Sequence, residues 1–199
     1  MNALLNTVRA AAAAVCFLLI MQTGGTAQSD TDRRNCFSTG SDDYKDPKFY
    51  DVGFGACDRF IKSQKFSGKQ LMPYVRQRAD WLRRKREFDA ALRDYAWAIE
   101  LDPADSETYD FRGDVFAERG DYDRAVADYN TAIRLRPDYP PAYYARGLIY
   151  EKMGRVDDAV ASYRTAASLR VPTNAESNTV RLYEWGISQS RRRLDELGR

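Results

Sequence analysis

The chain has 199 residues, of which 44% are hydrophobic and 30% charged, so it has enough apolar side chains for one core or a short repeat array. Its formal net charge is only +2, and no strong field therefore draws it to nucleic acid or to a membrane surface. Histidine is absent, which removes the commonest metal ligand and the usual general base near neutral pH.

The first 27 residues have the pattern of a signal peptide. Arg9 precedes an apolar run over residues 10–21, and the Gly-Thr-Ala sequence at 25–27 places small residues where a signal peptidase cleaves. The run is shorter than the roughly 20 apolar residues that span a bilayer. We therefore expect residues 1–27 to be removed and the mature chain to begin at Gln28 in an exported compartment, the bacterial periplasm. An uncleaved membrane anchor is the alternative.

The cysteines predict a disulfide. Cys16 lies in the apolar run and would leave with the signal peptide, so that Cys36 and Cys57 remain. An even number of cysteines in an oxidising compartment favours a structural bond. The loop that they close is about 20 residues long, which corresponds to roughly 3 kcal/mol of stabilisation. Because a CxxC motif is missing from the sequence, thiol catalysis is not expected.

One stretch of the sequence recurs with a period of 34 residues. The segment RGDVFAERGDYDRAVADYNTAIRLRP, which begins at Arg112, returns from Arg146 as RGLIYEKMGRVDDAVASYRTAASLR. The matched pairs are Gly113 and Gly147, Gly120 and Gly154, Ala125 and Ala159, Tyr129 and Tyr163, and Ala132 and Ala166. One period upstream, the matching residues are Ala79, Ala91, Tyr95, Ala98 and Pro103, of which the last corresponds to Pro137. The sequence therefore predicts three repeats, at 72–105, 106–139 and 140–173.

This period and these residues resemble the tetratricopeptide repeat (TPR) family, in which each repeat is a pair of antiparallel helices, A and B. The resemblance implies an all-α, right-handed helical solenoid of three helix pairs. The small residues would let helices A and B approach closely, and the tyrosines would fill the gap toward the next repeat. The glycines would end helix A and the prolines helix B. The first repeat departs from the pattern, because Arg86 stands where the turn glycine belongs.

The segments beside the repeats predict two further helices. Residues 174–199 carry an apolar stripe at helical spacing and would cap the open face of the last repeat. The stripe consists of Val180, Tyr183, Ile187 and Leu194. Residues 28–71 are expected to form a half-repeat with one helix, at 51–64, onto which the disulfide pins the loop 35–50. This segment is similar to exported bacterial TPR proteins with paired cysteines before the repeats.

In the TPR family, partners usually bind the concave face, which the A helices line. The resemblance therefore implies a set of partner-binding residues: Arg76, Asp80 and Arg83 in the first repeat, Glu107, Asp110, Asp114 and Glu118 in the second, and Tyr144, Leu148 and Glu151 in the third. A groove that is basic at one end, acidic in the middle and partly apolar at the other suits an extended or helical peptide. Its middle suits a basic segment. The alternative is that these are only solvated charges.

A second known TPR binding mode is not expected. Some TPR domains hold a partner's C-terminal carboxylate with Lys and Asn side chains on successive A helices. Here those positions carry Arg76 and Asp80, then Asp110 and Phe111, and the two aspartates would repel a carboxylate.

Charged residues also recur at fixed positions of the repeat. Arg78, Arg112 and Arg146 share one position of helix A, and Asp94 and Asp128 share one position of helix B. Such recurrence indicates architecture rather than a binding site. We predict ion pairs between successive repeats, Asp94 with Arg112 and Asp128 with Arg146, each worth about 0–1 kcal/mol if exposed.

The sequence predicts a binding protein. It has no nucleophile–base motif, no phosphate-binding glycine loop and no metal-ligand spacing. We expect an interaction scaffold or adaptor, not an enzyme, with no cofactor and no metal. The partner would be another protein or a peptide segment, with no nucleic acid and at most peripheral membrane contact. The alternatives are a structural, self-associating TPR protein and an envelope-associated protein recruited through the basic runs 83–86 and 191–193.

Overall fold

The computed structural model describes residues 30–37, 47–63, 65–173 and 175–198, and this part of the chain is helical, without strands. The expected signal peptide at residues 1–27 lies outside the described residues. Of the helices described, none combines the length and the apolar character needed to cross a bilayer.

In the described part of the chain, eight long helices follow one another. They are α1 (Pro47–Lys62), α2 (Met72–Arg84), α3 (Phe88–Leu101), α4 (Ser106–Glu118), α5 (Tyr122–Leu135), α6 (Pro140–Lys152), α7 (Val156–Ser168) and α8 (Ser177–Glu196). A short 3₁₀ helix, Gly68–Gln70, precedes α2, and residues 30–36 are also helical. The predicted helix at 51–64 therefore begins earlier, at Pro47, and part of the segment expected to be a loop is helical.

The long helices from α2 to α7 form three antiparallel pairs that stack into a right-handed solenoid. The pairs are α2 with α3, α4 with α5, and α6 with α7. The first helices of successive pairs also touch one another, α2 with α4 and α4 with α6, whereas the second helices make no comparable contacts. Helices on the inner side of a curved array lie closer together than those on the outer side. The first helices therefore line the concave face.

A tight turn joins the two helices of each pair. Gly120 and Gly154 adopt left-handed conformations, with φ of 78° and 74°. The amide after each glycine donates to the carbonyl of Phe116 or Tyr150, at 2.8 Å in both cases, which satisfies a carbonyl at the end of the helix. Arg86 adopts the same conformation in the first pair, with φ of 62°. It keeps the geometry of the turn in a conformation that costs a non-glycine residue about 1–2 kcal/mol.

Small residues in the middle of the first helices allow close packing within each pair, as the sequence predicted. A Cβ atom added to Gly113 would lie 2.8 Å from the ring of Tyr129, and one added to Gly147 would lie 2.4 Å from the ring of Tyr163. Both distances are too short for a methyl group against a ring that is packed in the core. Tyr95 occupies the same place in the first pair, packed against Ala79.

The recurring arginines form ion pairs with the recurring aspartates of the same repeat, so the predicted pairs of Asp94 with Arg112 and of Asp128 with Arg146 are wrong. Arg78 contacts Asp94, and Arg112 contacts Asp128, each at 2.7 Å and sixteen residues apart. The two antiparallel helices of a pair bring these mid-helix positions face to face. Both oxygens of Asp94 therefore accept hydrogen bonds from Arg78 of the same repeat and not from Arg112 of the next one. In the third pair, Arg146 instead donates to Ser162 of its own repeat at 3.2 Å and to Asn130 of the preceding repeat at 2.7 Å. Arg78 also contacts Asp58 of α1, at 2.9 Å.

A disulfide fixes the N-terminal segment onto the array, as predicted. Cys36 and Cys57 are bonded and fully buried, with their Cα atoms 4.8 Å apart. The indole nitrogen of Trp81 donates to the carbonyl of Cys36 at 3.0 Å, and Asp32 forms an ion pair with Arg59. The helical segment 30–36 thus packs against the end of the array.

The last helix covers the other end. α8 contacts both α6 and α7, and Tyr183 and Ile187 of the predicted stripe are buried, whereas Val180 and Leu194 are partly buried. Gly186 rests on Pro140 and Pro141, since a Cβ atom at this position would lie 2.9 Å from the Pro141 nitrogen. Close contact with the start of α6 therefore sets the position of α8.

Candidate functional site

The charged residues predicted on α2 are tied into ion pairs across the concave face. Asp80 accepts hydrogen bonds from Arg83 at 3.0 Å and from Arg84 at 2.8 Å. Arg83 also reaches Glu118 on α4, at 2.6 Å. Burial works against the charge of Arg83, but Asp80 and Asp114 outweigh it and raise the pKa of its guanidinium. This end of the concave face is therefore internally neutralised.

A second set of ion pairs lies at the N-terminal end of α4. Arg76 contacts Asp105 at 2.7 Å and Glu107 at 3.1 Å, and Arg136 donates to Glu107 at 2.8 Å. Asp105 also caps α4 by accepting a hydrogen bond from the Thr108 amide. Glu107 is thus held between two arginines, one from each neighbouring part of the array.

Asp110 differs from the other predicted acids. Its side chain is almost completely buried, and the Tyr139 hydroxyl donates to Oδ2 at 3.4 Å. Oδ1 has no hydrogen-bond partner, and no Lys or Arg among the described residues pairs with this carboxyl. Burial raises the pKa of Asp110 well above its ordinary value, and the nearby charges of Asp114 and Glu107 raise it further.

Asp114 lies one helical turn further along α4. It accepts a hydrogen bond from the Tyr129 hydroxyl at 2.9 Å, and its side chain remains 34% exposed. The hydroxyl of Tyr95, which is fully buried, has no partner, and burial together with the charge of Asp80 raises its pKa well above the usual value. The middle of the concave face therefore holds a buried carboxyl oxygen and a buried hydroxyl that both lack a partner.

The three residues predicted on α6 lie against the last helix. The ring of Tyr144 stands edge-on to Trp185 at a centroid distance of 5.3 Å, and Leu148 packs in the cluster that includes Leu194. Glu151 forms an ion pair with Arg193 and accepts a hydrogen bond from the Tyr163 hydroxyl. At this end, α8 thus forms part of the surface that was predicted to contact a partner.

The structure distributes the ten predicted residues over four groups along one face. Each charged member has an ion-pair partner in the same region except Asp110. Within the residues that the structure describes, no group of three or more His, Cys, Asp or Glu side chains is placed to hold a metal ion. The chemistry of this face is therefore that of charge pairing, hydrogen bonding and aromatic contact.

Comparison with known proteins agrees with this geometry. Residues 113–154 match a family model described as a TPR repeat, and residues 140–170 match one described as a tetratricopeptide repeat. Residues 113–170 carry tetratricopeptide repeats. No curated protein sequence matches it significantly. The matched residues span the second and third helix pairs, where the TPR pattern is most regular in the sequence.

Solved TPR structures share the fold. A crystal structure of MamA is similar with a TM-score of 0.53 and 24% identity, over 61% of this chain and 64% of that chain. The chain thus spans less than two thirds of this neighbour. The TPR2B domain of yeast Sti1, in a complex with pHsp70, is similar with a TM-score of 0.50 and 20% identity, over 61% of this chain and 97% of that domain. YrrB, a TPR protein with an unusual peptide-binding site, has a TM-score of 0.51 and 17% identity, over 59% of each chain.

Two features of the TPR concave face were missed from the sequence. Tyr139, the residue before α6, places its hydroxyl against Asp110, and Trp185 comes from the capping helix rather than from a repeat. The repeat register could have drawn attention to Tyr139. It lies just after Pro137 in the connection between two repeats, and the equivalent residue one period earlier is Asp105. No such signal marked Trp185. The connection before α8 is longer than those between the repeats, so the 34-residue register does not extend to this helix.

Proposed function

We propose that the protein is an exported, non-catalytic scaffold that binds a segment of a partner protein in its concave groove. The TPR fold, shared with neighbours whose structures include a pHsp70 complex and a peptide-binding site, supports an interaction role. The apolar run at residues 10–21, the cleavage pattern after it and the bonded Cys36–Cys57 pair support export.

The observation that carries the proposal is the unpaired carboxyl of Asp110. A buried carboxyl oxygen without a partner costs free energy, and a group that donates hydrogen bonds to it recovers this cost. An arginine or lysine side chain brings both the missing donors and a compensating charge. We therefore propose that the partner segment is basic where it passes Asp110.

An acidic partner fits this groove poorly. A carboxylate placed beside Asp110 would meet two further carboxylates, Asp114 and Glu107, which already raise the pKa of Asp110. The arginines that could attract it, Arg76 and Arg83, are held by acids of the groove itself. The charge arrangement therefore favours a cation over an anion in the middle of the groove.

A crosslinking pull-down from the native host tests this function. The baits are the mature wild-type protein, from Gln28 onward, and the Asp110→Asn variant, which keeps the size of the side chain and removes its charge. Asp123→Asn is the matched control, because it removes one carboxylate from an exposed position on α5. A protein captured by wild type and by Asp123→Asn, but lost with Asp110→Asn, would identify the partner.

Two outcomes would reject the proposal. Equal capture by all three baits would show that the partner binds another surface. Crosslinks between copies of the bait, with no other protein captured, would instead indicate self-association. Mass spectrometry of the protein from the same host tests export, because a mature chain that begins at Gln28 requires cleavage after residue 27.

A further inference from the structure

Trp185 is an exposed aromatic side chain in a place where a partner can reach it. Of the three tryptophans, Trp81 is 1% exposed and Trp97 is partly buried, whereas Trp185 is 47% exposed. Its ring meets that of Tyr144 edge-on, with an angle of 84° between the ring planes. Partly exposed, well-oriented tryptophans are among the side chains that contribute most to binding at interfaces.

The contact with Tyr144 places Trp185 beside the groove. Tyr144 lies on α6 at the position that Asp110 occupies on α4, one 34-residue period earlier. α8 packs against both α6 and α7, in closer contact with α6 than the first helices of neighbouring repeats have with one another, and the contact of Gly186 with Pro140 and Pro141 fixes it there. Trp185 thus extends the row of groove positions beyond the third repeat.

A longer connection makes this placement possible. Four residues separate consecutive repeats, 102–105 and 136–139, whereas eight residues, 169–176, lead from α7 to α8. The extra length shifts α8 relative to the repeat register, so that a tryptophan outside the repeats reaches Tyr144. The groove therefore has an acidic centre at Asp110 and an aromatic end at Tyr144 and Trp185.

We propose that Tyr144 and Trp185 form a second pocket, which receives an apolar or aromatic side chain of the same partner segment whose cation pairs with Asp110. This inference rests on the proposed function and adds to it the sequence pattern that the protein recognises. The occupant is an extended peptide segment, with one basic and one apolar residue. Charge complementarity at Asp110 fixes the first of these, and the exposed ring of Trp185 contacts the second.

The spacing between the two recognised residues follows from the fold. Neighbouring helices lie roughly 10 Å apart, and the Trp185 ring lies 5.3 Å from that of Tyr144, so the distance from Asp110 on α4 to the Trp185 ring is about 10–15 Å. An extended peptide rises about 3.3 Å per residue. The basic and apolar residues of the partner are therefore about three to five positions apart.

Selection from a random dodecapeptide library displayed on phage tests the pattern. The mature wild-type protein is expected to enrich peptides that have Lys or Arg and an aromatic or large aliphatic residue at this spacing. For a synthetic peptide from that set, Trp185→Ala should weaken binding about tenfold or more in fluorescence anisotropy. Leu182→Ala is the matched control, because Leu182 is an exposed apolar residue on the same helix, and it should leave the affinity within about twofold.

The outcomes separate this inference from the proposed function. Enriched basic peptides that bind Trp185→Ala as tightly as wild type would overturn the aromatic pocket and leave the function at Asp110 standing. Peptides whose binding is unchanged in Asp110→Asn, or a library from which nothing is enriched, would overturn both. Trp185→Phe keeps an aromatic ring against Tyr144 and should retain most of the affinity, and a full loss in this variant would count against a simple apolar pocket.

Discussion

Arg112 donates two hydrogen bonds to Asp128, which lies sixteen residues later in the same helix pair, and both measure 2.7 Å. The first pair repeats this arrangement with Arg78 and Asp94. Both guanidinium groups are largely buried by the helices they join, so these pairs fix how the two helices of a repeat face each other.

A double-mutant cycle can test this pairing. Arg112→Ala and Asp128→Ala should be coupled by about 1 kcal/mol in the free energy of unfolding, because a bidentate, partly buried ion pair stabilises a protein more than an exposed one does. Arg112→Ala and Asp94→Ala serve as the control cycle and should be additive within about 0.5 kcal/mol. Urea denaturation measures both. Coupling only in the control cycle would contradict this pairing and would support the one between repeats, Asp94 with Arg112.

Asp110 should make stability depend on pH in an unusual direction. Its folded-state pKa lies above the unfolded value of 3.8, so the folded protein binds this proton more tightly than the unfolded chain does. Its contribution to stability therefore falls as the pH rises from 3.8 through the folded pKa. Asp110→Asn should raise the free energy of unfolding by on the order of 1 kcal/mol near pH 7, and this gain should vanish below about pH 4.

The control for this titration is Asp123→Asn, which removes an exposed carboxylate from the first turn of α5 and should leave stability near neutral pH unchanged or slightly lower, never higher. Urea melts across the pH range measure both variants. A destabilised Asp110→Asn protein at neutral pH would show that the carboxylate is compensated after all. With the expected result, one substitution strengthens the fold and weakens partner binding, as is common at functional sites.

Arg86 should be a position where one substitution stabilises the protein. Glycine adopts a φ near 62° without strain, so Arg86→Gly should raise the free energy of unfolding by about 0.5–1 kcal/mol, allowing for the contact of the guanidinium with Phe88 that it removes. Arg86→Ala removes the same contact and keeps the strain, and it should be neutral or destabilising. Thermal melts of the two variants decide, and equal effects would show that the turn is not strained.

Removing the disulfide should weaken the N-terminal end of the array. The bond closes a loop with a sequence separation of 21, for which chain entropy gives about 3 kcal/mol. Reduction of the wild-type protein should therefore lower its melting temperature, and the Cys36→Ser, Cys57→Ser variant should melt at the lower temperature with or without reductant. A wild-type melting temperature that does not respond to full reduction would contradict this.

The helices could be predicted because their signals are local and repeated. Gly120 and Gly154 mark the turns, and a 34-residue period aligns the packing residues of three pairs. Partners across the array could not be predicted, since recurrence of Arg112 and Asp128 fixes positions but does not say which helices bring them together. The groove positions were likewise predicted as exposed charges, and only the packing of Tyr139 against Asp110 reveals a buried carboxyl.

The contact of Gly186 with Pro140 and Pro141 also makes the order of the repeats matter. The first and second pairs begin with Met72-Pro73 and Ser106-Glu107 at the equivalent positions, so neither offers the same two-proline surface to the last helix. TPR helix pairs are often treated as exchangeable, but among the three pairs described here only the third has the surface against which α8 packs. A shortened chain that joins the second pair directly to α8 would lose this match, and with it the aromatic end of the groove.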